Sequence, residues 1–127
     1  MLMSVVTLGV PLMDKDHAHL ETLLLKINGA SDAALPDLLQ EIEAETRAHF
    51  GREEELMQSA GVPILHCHIG QHAQFLALFE RGRDAAKQNG SRGLRHFLGM
   101  ELPALFRDHV ETVDRVTAGF LQGRAFS

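Results

Sequence analysis

The stretch His49-Phe50-Gly51-Arg52-Glu53-Glu54-Glu55-Leu56-Met57 shows most directly how this chain folds. Its His49, Glu53 and Met57 are spaced four residues apart, which places them on one face of an α-helix. Followed backwards in steps of three and four, the same face carries Leu35, Leu39, Ile42 and Thr46. This pattern predicts an amphipathic helix that packs its apolar side inward. Because burying an unpaired polar side chain costs several kcal/mol, the histidine and the glutamate on this face need partners.

Helix-breaking residues divide the chain at regular intervals. They are Asn28-Gly29 with Ser31-Asp32, Gly61 with Pro63, and Asn89-Gly90-Ser91. These residue types are typical of the places where helices end and begin. Four segments with helical periodicity lie between them, near residues 15–28, 33–60, 64–89 and 92–122. Since short connections make successive helices antiparallel, the predicted fold is all-α, an up-down-up-down antiparallel four-helix bundle.

The length of the chain fits one domain over residues 1–127. Within it we expect an extended N-terminal arm at residues 1–13 and the bundle at residues 14–122. Pro103 lies inside the fourth periodic segment, where it removes a backbone donor, and it predicts a kink in that helix.

Histidines lie on the inward face of every predicted helix. His17 leads into the first apolar face and His109 lies on the fourth, while His68 and His72 repeat the spacing of four on the third. Nitrogen and carboxylate donors together suit first-row metals such as iron, manganese or zinc. The two spaced pairs on adjacent helices therefore predict a metal site in the core. Three further histidines fall off these faces and are expected at the surface: His19, His66 and His96.

Composition excludes several other classes of function. The net charge of −5 and the scattered Lys and Arg residues argue against a nucleic-acid partner. Cys67 is the one cysteine, so no internal disulfide can form, which suits a reducing compartment. The apolar opening is too short to span a membrane and lacks the features of a signal peptide, so we expect a cytoplasmic protein without a membrane partner. Since Trp and Tyr are absent, no side-chain radical relay is available for one-electron oxidase chemistry.

Several motifs resemble those of the hemerythrin family. Met13-Asp14-Lys15-Asp16-His17-Ala18-His19-Leu20 is similar to the motif around the first ligand of that family, and residues 49–57 are very close to its H-F-x-x-E-E-x-L-M. Gly61-Val62-Pro63, followed by His68, His72 and Phe75, resembles the third-helix pattern. His109-Val110 with Asp114 resembles H-[IV]-x-x-x-D. The resemblance runs from about residue 9 to residue 120.

The resemblance implies an oxo- or hydroxo-bridged di-iron centre. One iron would be held by His68, His72 and His109, and the other by His17 and His49, with Glu53 and Asp114 bridging the two. Two octahedral irons offer twelve positions, and these ligands with the bridging group fill eleven. The open position would belong to the iron held by only two histidines. Asp114 rests on the resemblance alone, because it lies about 140° round an ideal helix from His109. Asp108 and Glu111 are weaker alternatives for this ligand.

The function implied is reversible dioxygen binding for storage or delivery, without enzymatic activity, and with azide or similar anions binding to the oxidised form. A sensor that signals through a separate partner and a weak peroxidase or nitric oxide-handling protein are the alternatives. The chain has no Glu-x-x-His motif of the di-iron oxidases, which favours a carrier. Asp16 replaces a common Gln, and Leu105-Phe106 replaces a frequent Trp-Leu. Glu54 and Glu55 are expected to turn away from the centre into solvent.

Overall fold

The computed structural model describes residues 7–122, and this part of the chain is all-α, with no strand. Helix α1 spans Pro11–Leu25, α2 spans Leu35–Ala60 and α3 spans Leu65–His96. Two short 3-10 turns, Lys26–Gly29 and Asp32–Ala34, connect α1 to α2. Beyond α3 the chain continues through α4, Leu102–His109, and α5, Arg115–Leu121. The helices pack together as a bundle around one apolar core.

Gly90 interrupts the long helix α3. Its φ of 62° and ψ of −147° are not helical, and a residue with a Cβ adopts such a backbone only with strain. The chain turns there, so residues 91–121 pack back on the earlier part of α3. Gly82 permits this close approach, since a Cβ at that position would lie 2.8 Å from the ring of Phe97. The predicted break between the third and fourth helical segments is therefore confirmed.

Residues 91–121 are not a regular α-helix. Two π turns, Phe97–Glu101 and Val110–Asp114, separate α4 from the helices on either side. In the first, the N–H of Leu102 donates to the carbonyl of Phe97, five residues back. In the second, the N–H of Arg115 donates to the carbonyl of Val110, also five residues back, and to that of Thr112. Pro103 is the second residue after the first π turn, so the widened turn accommodates the proline and the helical path continues.

The N-terminal arm is shorter than predicted. Helix α1 begins at Pro11, because proline has the φ that a first helical turn requires and needs no N–H partner there. Residues 7–10 are non-helical and lie against the bundle, while residues 1–6 of the predicted arm lie outside the described part of the chain. The N–H groups of Leu8 and Gly9 donate to the Asp14 carboxylate at 2.8 and 3.1 Å. Gln122 Nε2 donates to the Leu8 carbonyl at 2.5 Å and fixes this segment to the last described residue.

Within residues 7–122, no helix has the length and apolar character needed to cross a membrane.

Candidate metal centre

Five imidazoles and two carboxylates meet at the middle of the bundle. None of these side chains belongs to a residue more than 6% exposed. They fall into two overlapping groups whose potential ligand atoms lie within 4.8 Å of one another. One group consists of His68, His72, His109 and Asp114, and the other of His17, His49, Glu53 and Asp114. All seven side chains expected from the sequence are thus brought together.

The Glu53 carboxylate lies between the two groups of histidines. Its Oε1 lies 2.6 Å from Nε2 of His68 and 3.2 Å from Nε2 of His72. Its Oε2 lies 3.1 Å from Nε2 of His49 and 3.9 Å from Nε2 of His17. Each oxygen therefore faces a different pair of imidazoles.

Asp114 divides its oxygens in the same way. Its Oδ2 lies 2.9 Å from Nε2 of His17, and its Oδ1 lies 3.4 Å from Nε2 of both His68 and His109. Both carboxylates thus direct one oxygen toward His68 and the other toward His17. Carboxylates arranged in this way could each serve a metal ion on either side.

Several of the converging atoms lack hydrogen bonds. Within the described residues, six buried atoms of these side chains have no hydrogen-bond partner. Two of them are the Nδ1 atoms of His17 and His49, and the other four face the cluster: His49 Nε2, Glu53 Oε2, His109 Nε2 and Asp114 Oδ1. Buried polar atoms are nearly always hydrogen-bonded in proteins, so four orphans pointing to one place call for a further ligand. Imidazole nitrogens and carboxylate oxygens are donors that iron accepts. The residues present therefore fit a di-iron group.

Regular helix spacing positions four of these side chains. His49 and Glu53 lie one turn apart on α2, and His68 and His72 lie one turn apart on α3, with their ring centroids 4.2 Å apart. Asp114 reaches the cluster only because of the π turn at Val110–Asp114, which contains one residue more than a turn of α-helix. The carboxylate consequently falls where the fourth residue after His109 would lie in a regular helix.

Other residues hold the imidazoles from behind. The Nδ1 atom of His68 lies 2.5 Å from the hydroxyl of Thr117, and that of His72 lies 2.7 Å from Oε2 of Glu54. Asp16 Oδ2 lies 3.2 Å from Nδ1 of His49. Contacts of this kind fix the orientation of a metal-binding imidazole and strengthen it as a donor.

The protonation of the metal-free cluster follows from these contacts. Burial lowers the pKa of His49, but Asp16 and Glu53 outweigh this effect and raise it to about 9. The pKa of His68 likewise rises to about 9, because Asp114 and Glu53 outweigh its burial. Burial and the charge of Asp114 both raise the pKa of Glu53, yet its contacts with the histidines lower it to about 2. Without metal, charged imidazoles therefore compensate the buried carboxylates.

A small apolar cavity lies one helical turn from the cluster. Its volume is about 10 Å³, which is room for about one water-sized molecule. The ring of Phe106 contacts that of His17 at a centroid distance of 5.9 Å, and Phe75 contacts His109 at 5.2 Å. The lining residues are Leu20, Leu24, Ile42, Thr46, Phe75, Leu102 and Phe106.

Comparison with known proteins agrees with this geometry. The sequence model described as "Hemerythrin HHE cation binding domain" matches residues 8–121. The chain belongs to the hemerythrin family. It is 37% identical over 117 residues to a bacteriohemerythrin of Ralstonia nicotianae, covering 92% of this chain and 85% of that protein. It is 27% identical over 94 residues to a bacteriohemerythrin of Stenotrophomonas maltophilia, covering 65% of this chain and 61% of that protein. No solved structure gives a significant match.

The position of Glu54 in this hemerythrin-family chain differs from the expectation. Glu54 was expected in solvent, but its carboxylate bonds to His72 from the neighbouring helix. The spacing within α2 could not indicate this, because the contact depends on how α2 and α3 pack. The expectations for the remaining acids and histidines are confirmed, since all of these residues are exposed: His19, Glu55, His66, His96, Asp108 and Glu111.

Proposed function

We propose that this hemerythrin-family chain holds two irons in its core and binds dioxygen reversibly, as a storage or delivery protein and not as an enzyme. The proposed ligands are His17, His49, Glu53, His68, His72, His109 and Asp114. One observation carries the proposal: Glu53 and Asp114 each direct one oxygen toward His68 and the other toward His17 or His49. Two carboxylates that both divide their oxygens in this way match a bridged pair of metal ions.

We also propose that the whole chain, residues 1–127, is a single domain of the cytoplasm. In this proposal residues 91–121 count as the fourth helix of an up-down-up-down antiparallel bundle. The π turns support this count, because the chain continues as consecutive helical turns between Gly90 and Leu121.

The two histidine groups are unequal, and this inequality suggests where a small molecule binds. His68, His72 and His109 supply three imidazoles on one side, whereas His17 and His49 supply two on the other. Iron bound in this cluster would supply the electrons and the exchangeable position that reversible dioxygen binding requires. The Phe106 ring packs edge to face with His17, and this imidazole is fully buried from bulk water.

The character of the cavity favours a carrier over an enzyme. Its walls are apolar apart from Thr46, and the hydroxyl of Thr46 already donates to the carbonyl of Ile42 at 2.7 Å. No acid lines the cavity among the described residues, so none is placed there to donate a proton for cleavage of an oxygen–oxygen bond. A neutral diatomic molecule is the ligand that such a space accepts most readily.

The test is metal analysis combined with cycles of gas exposure. Protein from iron-rich cells should contain two irons per chain, and after anaerobic reduction its visible spectrum should change reversibly through repeated oxygen and argon cycles. The oxidised protein should take up one azide per pair of irons. Because the chain has neither Trp nor Tyr, absorption by the cluster should dominate the near-ultraviolet spectrum. Stoichiometric zinc, or a single iron per chain, would refute the proposal.

A further inference from the structure

His72 is held by carboxylates at both of its ring nitrogens. Glu53 Oε1 lies 3.2 Å from Nε2, and Glu54 Oε2 lies 2.7 Å from Nδ1. These two acids are consecutive residues of α2. The ring of Phe50 stacks on the imidazole at a centroid distance of 3.8 Å and an interplanar angle of 3°. The carboxylates therefore fix the His72 imidazole within its own plane, and the stacked Phe50 ring fixes it in the perpendicular direction.

The contact with Glu54 differs from those behind the other imidazoles. His68 has the neutral hydroxyl of Thr117 behind it. Asp16 lies behind His49, but its two oxygens accept hydrogen bonds from Arg52 at 2.9 and 2.8 Å, so a cation balances its charge. Within residues 7–122, no Lys or Arg forms an ion pair with Glu54. Glu54 therefore gives His72 an uncompensated negative charge.

An anionic partner on one ring nitrogen strengthens the other nitrogen as a metal donor. The side chain of Glu54 is 33% exposed, so water weakens its charge but does not cancel it. The proton shared with Glu54 also holds the tautomer of His72 in which Nε2 is free for a metal. Both effects act only on the side with three histidines.

We propose that Glu54 is a positioning residue that makes the metal site of His68, His72 and His109 the tighter and more electron-rich of the two. This inference rests on the proposed di-iron function. It predicts that the two metals differ in their rates of release to a chelator and that the iron on this side is the harder one to reduce.

Three substitutions at two adjacent residues test the proposal. Glu54→Gln keeps a hydrogen-bond acceptor but removes the charge, and Glu55→Gln removes the same charge from an exposed neighbour on the same helix. Cobalt(II) and iron serve as the two metal probes. In Glu54→Gln, metal should leave the three-histidine site about 10–100-fold faster than in the wild-type protein. The reduction potential of the iron at that site should rise. Glu54→Ala should release the metal faster still, because the hydrogen bond is also lost.

The outcomes separate this proposal from the proposed function. The wild-type protein could hold two metals while Glu54→Gln and Glu55→Gln have equal release rates and reduction potentials. That result would overturn the role of Glu54 and leave the di-iron function standing. Faster release from the two-histidine site alone would also overturn it. A wild-type protein that binds fewer than two metals would refute both proposals.

Discussion

At the scale of single residues, the most important feature of the centre is a pair of buried carboxylates. Glu53 and Asp114 are buried next to each other, and without positive partners their charges would repel across a medium of low dielectric constant. The contacts with histidines hold the pKa of Asp114 well below its usual range despite this burial. Removing one member of such a buried network leaves a charge without a partner, which costs about 3–5 kcal/mol.

Replacing single ligands should separate the two metal positions. In His17→Ala, the iron of His68, His72 and His109 should remain while its neighbour is lost or weakened, so the iron content falls toward one per chain and azide uptake disappears. Glu53→Ala should lower the content of both irons, because Glu53 faces both groups of histidines. Iron analysis and azide titration measure these changes.

His19→Ala is the matched control for this pair of substitutions. His19 is exposed and lies two residues from His17 on the same helix, so its replacement should leave iron content and azide uptake unchanged. Oxygen cycling by a His17→Ala protein that still holds two irons would show that His17 is an ordinary core histidine.

At the scale of helices, the irregular stretch before Asp114 decides whether the site is complete. The π turn at Val110–Asp114 is supported by side chains that bond to backbone carbonyls near it. The hydroxyl of Thr112 donates to the carbonyl of Asp108 at 2.7 Å, and Arg115 Nε donates to that of Glu111 at 3.3 Å. A π turn amounts to one extra residue in an α-helix, and such turns are frequent at functional sites.

The extra residue also explains which residues of the site could be predicted from the sequence and which could not. His49 with Glu53 and His68 with His72 could be predicted from spacing, because they lie in regular helix where rotation per residue is constant. Asp114 could not be derived in this way, since a π turn is a pattern of hydrogen bonds that residue types do not specify. The bond between Glu54 and His72 was missed for another reason: it depends on the packing of two helices that are distant in sequence.

Deleting Thr112 should convert the π turn into regular α-helix. Asp114 and the residues after it would stay on the same faces of the helix, so the protein should retain both irons. Its free energy of unfolding should fall by only about 1 kcal/mol, the usual contribution of one hydrogen bond. Thermal unfolding and iron analysis measure the result.

Deleting Arg47 from the regular helix α2 is the control, since this side chain is also mostly exposed. It would rotate His49 and Glu53 by about 100° relative to the first half of α2, and we expect loss of both irons and of most of the stability. If the deletion of Thr112 is as damaging as that of Arg47, the π turn is not a removable extra residue.

At the scale of the whole molecule, the metal-free protein should be most stable in mildly acidic solution. His49 and His68 have a pKa of about 9 in the folded chain against an ordinary 6.5, so their contribution is complete below pH 6.5 and is lost as the pH rises to 9. Glu53 has a pKa of about 2 against 4.5, so its contribution is complete above pH 4.5 and is lost below it. Stability should therefore be greatest between pH 4.5 and 6.5.

The metal-loaded protein should show the opposite trend on the alkaline side. Metal binding requires neutral imidazoles and releases protons, so affinity increases with pH. The difference in melting temperature between the two forms should accordingly widen from pH 6.5 to 9. Paired melting curves across this range measure it, and a metal-free protein that becomes steadily more stable up to pH 9 would contradict the assignment of charged histidines.

The contact between His17 and Asp114 also has a consequence for the timing of assembly during protein synthesis. The two residues lie 97 positions apart in the chain, yet His17 Nε2 and Asp114 Oδ2 are separated by 2.9 Å. At about 5–20 residues per second, a ribosome needs roughly 5–20 s to pass from the first of them to the second. Throughout that interval the nascent chain carries His17 without one of the two carboxylates that would complete the centre. The complete set of seven side chains can therefore come together only after Asp114 has been synthesised.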